Sequence, residues 1–235
     1  ICLHFALAKL DHERRELSAA LDEKGLSALT RGRLGKLAEA KLDHGARLRA
    51  LLAPVGIDAP AASHETYLAL RTRLPTDQGL TTYYHNAHRD WAWGDEENAA
   101  SHAIVAERLQ GAPPGKTLVL GAGAGRLAYD LHQMCGPTLT VALDFNPLLG
   151  LIAERVTRGE ALELYEFPLA PVDLEHQVLL RTLRAPEPAR VGLHCVLADA
   201  HRPPFPKESF DTVITPWLVD ILPEPFAEFA ARVNT

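Results

Sequence analysis

The spacing of hydrophobic residues changes along the chain. From residue 1 to about residue 73, leucines such as Leu10, Leu17 and Leu21 recur at helical spacing between charged positions, which predicts amphipathic helices. Glycines and prolines interrupt this pattern, so we expect about three helices there. The stretch from Glu96 to Leu109 predicts a further amphipathic helix.

Beyond residue 116 the apolar positions form short runs rich in β-branched residues, separated by stretches with helical spacing. This alternation predicts an α/β fold with a mostly parallel sheet and helices on both faces. We therefore divide the chain into an N-terminal helical region, 1–80, and an α/β domain, 81–235. The predicted strands are Thr117–Leu120, Leu139–Leu143, Leu193–Leu197 and Thr212–Thr215.

Composition narrows the classes of partner. The formal net charge is -6, which argues against nucleic acid or an anionic membrane surface as partner, and no apolar run approaches membrane-spanning length. Cys2, Cys135 and Cys195 are too widely spaced for a metal-ligand pair or a disulfide framework. We therefore expect a cytoplasmic protein without a metal that acts on a small molecule or short peptide. Its oligomeric state stays open, with a homodimer as one candidate.

The segment "TLVLGAGAGRLAYDL" carries the clearest chemical signal. A predicted strand runs into Gly121, Gly123 and Gly125 and then into a predicted helix. Missing side chains let a ligand approach the backbone, and a helix N-terminus favours a negatively charged group. The dinucleotide fingerprint has a third glycine where this chain has Arg126. The G-x-G-x-G spacing instead resembles the turn of Rossmann-like methyltransferases that use S-adenosylmethionine (SAM).

Two further strand ends supply candidate ligands. Asp144 ends the second predicted strand, where a carboxylate accepts hydrogen bonds from both ribose hydroxyls. Phe145 could then lie against adenine, and Asp199 could accept from the adenine amino group. The alternatives are that Asp144 is a turn residue and Phe145 a core aromatic. We interpret Trp91 and Trp93 as packing anchors.

Four segments resemble the carnosine N-methyltransferase family: "RDWAWGDEE", "LVLGAGAGRLAYDL", "LYEFPLAP" and "DTVITPWLVDIL". Together they span about 83–233. Members of this family are SAM-dependent enzymes with a Rossmann-like sheet, and they methylate an imidazole nitrogen of a small histidine-containing dipeptide. The resemblance therefore implies an N-methyltransferase for an imidazole- or amine-containing substrate.

The resemblance also implies roles for individual residues. Arg89 and Arg126 would hold the SAM carboxylate, and Asp220 would face the substrate imidazole, although Asp220 could instead be a helix N-cap. The remaining cofactor-binding residues would be Gly121, Ala122, Gly123, Gly125, Asp144, Phe145, Asp199 and Ala200.

The chain departs from the family in three places. Asp144 stands where the family usually has Glu, and Pro216, Trp217, Leu218 and Val219 stand where the family has aromatic residues before the acidic position. The sequence also stops after "PEPFAEFAARVNT", before the family's later strands. We therefore expect that the C-terminal strands are missing from this sequence. Two alternative functions remain: a SAM-binding or scaffold protein without catalysis, and an NAD-dependent oxidoreductase.

Overall fold

The computed structural model describes residues 2–55, 65, 68–69, 79–219 and 224–234. The chain divides into two compact units, which we describe separately. The first comprises Ile1–Tyr84 and Glu163–Thr182, and the second comprises His85–Leu162 and Leu183–Thr235. Glu163–Thr182, which the sequence analysis assigned to the α/β domain, therefore groups with the N-terminal region.

The helices and strands follow in chain order. The α-helices are α1 (Cys2–Leu21), α2 (Ala28–Leu52), α3 (Tyr84–His88), α4 (Asp95–Leu109), α5 (Arg126–Met134), α6 (Pro147–Thr157) and α7 (Phe226–Val233). A π-helix spans Arg89–Trp93, and short 3-10 helices span Ala53–Val55 and Glu175–Gln177. The strands are β1 (Lys116–Leu120), β2 (Leu139–Asp144), β3 (Leu162–Glu166), β4 (Leu179–Leu183), β5 (Leu193–Leu197) and β6 (Thr212–Ile214).

The second unit contains a four-stranded sheet with the order β5-β2-β1-β6. All three neighbouring pairs are parallel, and Leu118 of β1 lies opposite Val141 of β2 and Val213 of β6. These strands confirm the four predicted from the sequence, within about one residue at each end. The arrangement is α/β and consistent with a Rossmann-like fold. Chain order reverses between β1 and β6, which is where such sheets bind ligands.

The core of this unit covers both faces of β1. On one face Leu118 and Leu120 join a buried cluster that includes Phe229 of α7. On the other, Val119 packs with Ala128 of α5. A central parallel strand is buried on both sides, which explains why its sequence is a continuous apolar run without alternation. Helices therefore cover both faces, as predicted.

In the first unit α1 and α2 pack against each other. Ser27 begins α2 as its N-cap, because its hydroxyl oxygen accepts a hydrogen bond from the Thr30 N–H at 3.0 Å. Leu48, Leu51 and Leu52 near the end of α2 are buried. These helices confirm the predicted helical pattern, and the third predicted helix falls largely outside the described residues.

The sequence analysis missed the two-stranded sheet of β3 and β4. In the first unit, β3 residue Tyr165 and nearby Phe167 gather around the buried His44 of α2, with ring centroids 6.4 and 5.2 Å from the imidazole. The Tyr165 hydroxyl donates to Asp43 at 3.0 Å. Partners more than a hundred residues apart stabilise these strands, so local periodicity did not reveal them. Among the described helices, none is both long and apolar enough to cross a membrane.

Candidate functional site

The glycine turn lies directly after β1, at the carboxyl edge of the sheet. Gly121, Gly123 and Gly125 have φ values of 65°, 58° and 88°, a region that residues with a side chain rarely adopt. A Cβ on Gly125 would lie 2.9 Å from the Cβ of Ala153, whereas a Cβ on Gly123 would meet nothing within 4 Å. Gly125 therefore serves the packing of α5 on α6, and Gly123 leaves open space.

Asp144 holds this turn from the end of β2. Its Oδ2 accepts a hydrogen bond from the Gly123 N–H at 2.8 Å, and its Oδ1 accepts from the Asn146 N–H at 2.8 Å. Burial raises the pKa of Asp144, and backbone N–H donors, including Gly123 and Asn146, oppose that shift. An ionised carboxylate has about four acceptor positions. Three backbone donors, Gly123, Asn146 and Phe145, use three of these positions, so about one is left for a ligand hydroxyl.

The residues around Asp144 form an edge that is open to solvent. Phe145 is 49% exposed, which rules out its alternative role as a core aromatic. On the neighbouring strand, β5, Leu197 pairs with Asp144, so Asp199 and Ala200 follow at the same edge. Ala200 is buried, while the exposed Asp199 accepts from the His201 backbone N–H at 2.8 Å. The hydrogen bond from the His201 N–H is the main reason that the pKa of Asp199 is lowered.

A π-helix, Arg89–Trp93, precedes the sheet in the chain and contacts the glycine turn. The indole N–H of Trp91 donates to the carbonyl of Ala124 at 2.8 Å. A Cβ on Gly94, the residue that ends the π-helix, would collide with the Arg89 carbonyl oxygen. Single π-turns occur often at functional sites. Trp91 is buried as predicted, but the interpretation of Trp93 as a packing anchor was wrong, because this residue is 50% exposed.

Arg126, the first residue of α5, joins the π-helix to the turn. Its Nε donates to both oxygens of Asp130 at 3.0 Å. One terminal nitrogen donates to the Asp90 carbonyl at 2.8 Å and to Asp95 at 3.0 Å. The guanidinium also lies 5.4 Å from the ring centroid of Trp91. Arg126 therefore has a structural role, and contact with a ligand carboxylate stays a prediction.

Arg89 and Asp90 line a cavity of about 20 Å³ at the point where chain order reverses. Gly121 and Ala122 line it from the end of β1, and Trp217 lines it from the segment after β6. The described structure thus brings Arg89 together with the start of the glycine turn, although 31 residues lie between Arg89 and Gly121 in the chain.

Asp90 is the buried charge in this cavity, with only 4% of the residue exposed. Its Oδ1 accepts from the Arg89 Nε at 3.1 Å and from a terminal Arg89 nitrogen at 2.9 Å. Burial raises the pKa of Asp90 to about 6, although the charges of Arg89 and Arg126 oppose the shift. A carboxyl with such a pKa, in a cavity, marks a candidate functional residue.

A larger cavity, about 590 Å³, lies between α7 and the segment from His201 to Asp211. Leu118, Leu120 and Val213 form its apolar wall, and none of the predicted cofactor residues contributes to it. We therefore place the candidate site by its chemistry and not by cavity size. Among the described residues, no group of three or more His, Cys, Asp or Glu side chains is arranged to hold a metal ion.

The residues of the small cavity that sequence reasoning missed include Asp90, Glu97, Asn98 and Trp217. The segment "RDWAWGDEE" contained a usable signal, because it combines opposite charges with tryptophans over nine residues. Asp90 was hidden beside Arg89, and only the π-turn directs both side chains to one cavity. The predicted catalytic residue, Asp220, lies outside the described residues.

In comparisons with known proteins, no protein-family model and no curated protein matches this chain. The functional proposal therefore depends on the geometry of the site and on the sequence.

Proposed function

We propose that this chain binds SAM and transfers its methyl group to a nitrogen of a small imidazole- or amine-containing substrate, such as a histidine-containing peptide. One observation carries the proposal. A parallel sheet in the order third-second-first-fourth ends its first strand in a glycine turn, and Asp144 at the end of the second strand is hydrogen-bonded to that turn. The resemblance of four segments to the carnosine N-methyltransferase family supports the same reading.

The nucleoside end of SAM fits the edge formed by Asp144 and its neighbours. We assign the ribose to Asp144, because its carboxylate keeps an acceptor position next to the open space at Gly123. Phe145 offers an exposed ring for adenine to stack on. Asp199 and Ala200 follow the adjacent strand and are assigned to the adenine edge.

The amino-acid end of SAM fits the small cavity at Gly121. Arg89 lines this cavity, and a guanidinium binds a carboxylate through two parallel hydrogen bonds. Arg126 braces the same region through Asp90 and Asp130. In this proposal Arg89 contacts the ligand, and Arg126 acts mainly by holding the π-helix against the turn.

When bound, SAM supplies an electrophilic methyl group on a sulfonium centre. The chain must align the acceptor nitrogen with that methyl group and exclude water. A neutral imidazole nitrogen is nucleophilic without a general base. Asp220 is our candidate to accept the hydrogen bond of the other imidazole N–H and to stabilise the positive charge that develops.

Ligand binding tests the cofactor assignment directly. We expect S-adenosylhomocysteine (SAH) and SAM to raise the thermal unfolding midpoint, with SAH giving a saturable calorimetric titration, and NAD to have no effect. Stabilisation by NAD and not by SAH would instead favour the oxidoreductase. Tritium transfer from labelled SAM to a pool of imidazole compounds then distinguishes an enzyme from a protein that only binds the cofactor.

The Asp220→Asn variant tests the catalytic assignment. If Asp220 orients the substrate N–H, methyl transfer falls by about two to four orders of magnitude while SAM affinity stays nearly unchanged. If it is only a helix cap, Asn replaces it well, because both side chains cap helices about equally. Near-normal turnover in the variant removes Asp220 from the mechanism.

A further inference from the structure

The cavity beside Gly121 contains charges of both signs. Arg89, Asp90 and Glu97 line it, so its walls carry one positive and up to two negative charges. Among the described residues, the hydrogen bonds to the Asp90 carboxylate both end on Oδ1 and both come from Arg89. The Oδ2 of Asp90 therefore keeps acceptor capacity for a donor that enters the cavity.

The size of the cavity limits what can enter. A volume of about 20 Å³ holds one group of about the size of a water molecule. An adenine ring does not fit, whereas an ammonium group does. A ligand thus enters the cavity by one small polar end, with the rest of it along the glycine turn.

From this we infer that Asp90 is a ligand-binding residue that accepts a hydrogen bond from the α-ammonium group of the cofactor, so that Arg89 and Asp90 together recognise a free amino-acid end. This inference rests on the proposed function. An ammonium group has three donors and no acceptor, which matches a carboxylate oxygen with free capacity. Arg89 offers donors to the α-carboxylate of the same ligand.

Charge balance favours a ligand that carries an ammonium group over one that carries a carboxylate alone. Arg89 already contacts Asp90 and lies 3.5 Å from a Glu97 oxygen. A ligand carboxylate without an ammonium group would add a third acidic group to a site that already has two for one guanidinium. A zwitterion brings its own positive charge to Asp90.

The backbone at Asp90 is held before any ligand arrives. The Asn98 side-chain amide donates to the Asp90 carbonyl at 3.2 Å, and Arg126 donates to the same carbonyl oxygen at 2.8 Å. Both donors come from helices that follow the π-turn in the chain, α4 and α5. Such support lowers the conformational entropy lost on binding.

Calorimetry with two ligands tests the role of Asp90. SAH carries the amino-acid end, and 5′-methylthioadenosine has the same nucleoside and sulfur but lacks that end. We expect Asp90→Asn to weaken SAH binding about ten- to hundredfold, the scale of a lost hydrogen bond between charged groups. Affinity for methylthioadenosine should change by less than about threefold. Equal losses for both ligands, or no loss for SAH, would overturn the inference.

Asp95→Asn is the matched control. It removes a negative charge near Arg126, but Asp95 is 86% exposed and does not line the cavity, so both affinities should stay nearly unchanged. If Asp90→Asn does not fold, a second ligand tests the same role of Asp90 in the wild-type chain. SAH in which hydrogen replaces the α-amino group should bind about ten- to hundredfold more weakly than SAH, and equal binding would exclude Asp90 as the ammonium acceptor.

The outcomes separate this inference from the proposed function. If the wild-type chain binds neither SAH nor methylthioadenosine, the proposed cofactor is wrong and the role of Asp90 falls with it. If the wild-type chain binds SAH, but Asp90→Asn binds SAH equally well and the wild-type chain binds deaminated SAH equally well, the cofactor assignment stands and only the role of Asp90 is wrong.

Discussion

Two aspartates at the candidate site, the half-buried Asp144 and the buried Asp90, have raised pKa values, yet different partners hold them. Backbone N–H groups of Gly123 and Asn146 hold Asp144. The guanidinium of Arg89 holds Asp90. The first arrangement is built by main-chain turns that follow two strands. The second is built by side chains on one π-turn.

This difference assigns different tasks to the two regions. The Gly123 N–H belongs to a turn with positive φ, and the Asn146 N–H lies at the N-cap of α6. Backbone geometry therefore sets the position of Asp144 when β1 and β2 pair. A salt bridge between neighbouring side chains can rearrange, since long side chains have several rotamers. We therefore expect a rigid nucleoside edge at Asp144 and a responsive charged end at Asp90.

The largest expected effect comes from breaking the backbone-built region at Gly125. Gly125→Ala places a methyl group 2.9 Å from the Cβ of Ala153 in a residue with φ of 88°. We expect a loss of about 2–5 kcal/mol in the free energy of unfolding, from the left-handed conformation and overpacking together.

Gly123→Ala is the control, because its φ is also positive but the space is open. Its cost should be about 1–2 kcal/mol. Urea denaturation of both variants checks the difference, and equal losses would contradict it.

The region around Asp90, which side chains hold, should affect how the free energy of unfolding depends on pH. The pKa of Asp90 is about 6 in the folded chain against an ordinary value of 3.8, so the folded state keeps this proton to higher pH. The contribution of Asp90 to stability is therefore complete below about pH 4 and is lost as pH rises to about 6. The loss reaches up to about 3 kcal/mol, at 1.36 kcal/mol per pKa unit.

Asp90→Asn isolates this contribution. We expect the free energy of unfolding of the wild-type chain, measured relative to that of the variant, to fall between pH 4 and pH 6. Asp199→Asn is the control with the opposite sign, because the pKa of Asp199 is lowered and its contribution is lost as pH falls. Parallel pH profiles for the wild-type chain and Asp90→Asn would show that Asp90 does not titrate in this window.

The smallest expected effect concerns ligand binding at Asp144. Asp144→Ala removes the acceptor that we assign to the ribose and should weaken SAM binding by about 1–3 kcal/mol. Calorimetry measures the loss, and methylthioadenosine should lose as much as SAH, because both carry the ribose. This pattern is the reverse of the one expected for Asp90→Asn. A loss confined to SAH would mean that the two aspartates do not divide the ligand as proposed.

The strands of the main sheet could be predicted from the sequence because they are apolar on both faces. Leu118 and Val119 pack on opposite sides of β1, so a short apolar run between turn residues is a sufficient signal. Strands β3 and β4 gave no such signal. Their burial is partial and mixed along both strands, and β3 contacts His44 and Asp43, which are far away in sequence.

The sequence by itself determined the local chemistry: a strand that must end at Gly121, a turn that only glycines adopt without strain, and an aspartate at the next strand end. These depend on interactions within a few residues and on the need to bury apolar runs. Only the tertiary structure decided that chain order reverses between β1 and β6, that Arg126 braces the π-helix, and that Arg89 and Asp90 share a cavity with Gly121 and Trp217. The physical reason is that a cavity and a buried charge pair are properties of residues brought together from separate elements, and no periodicity along the chain encodes which elements meet.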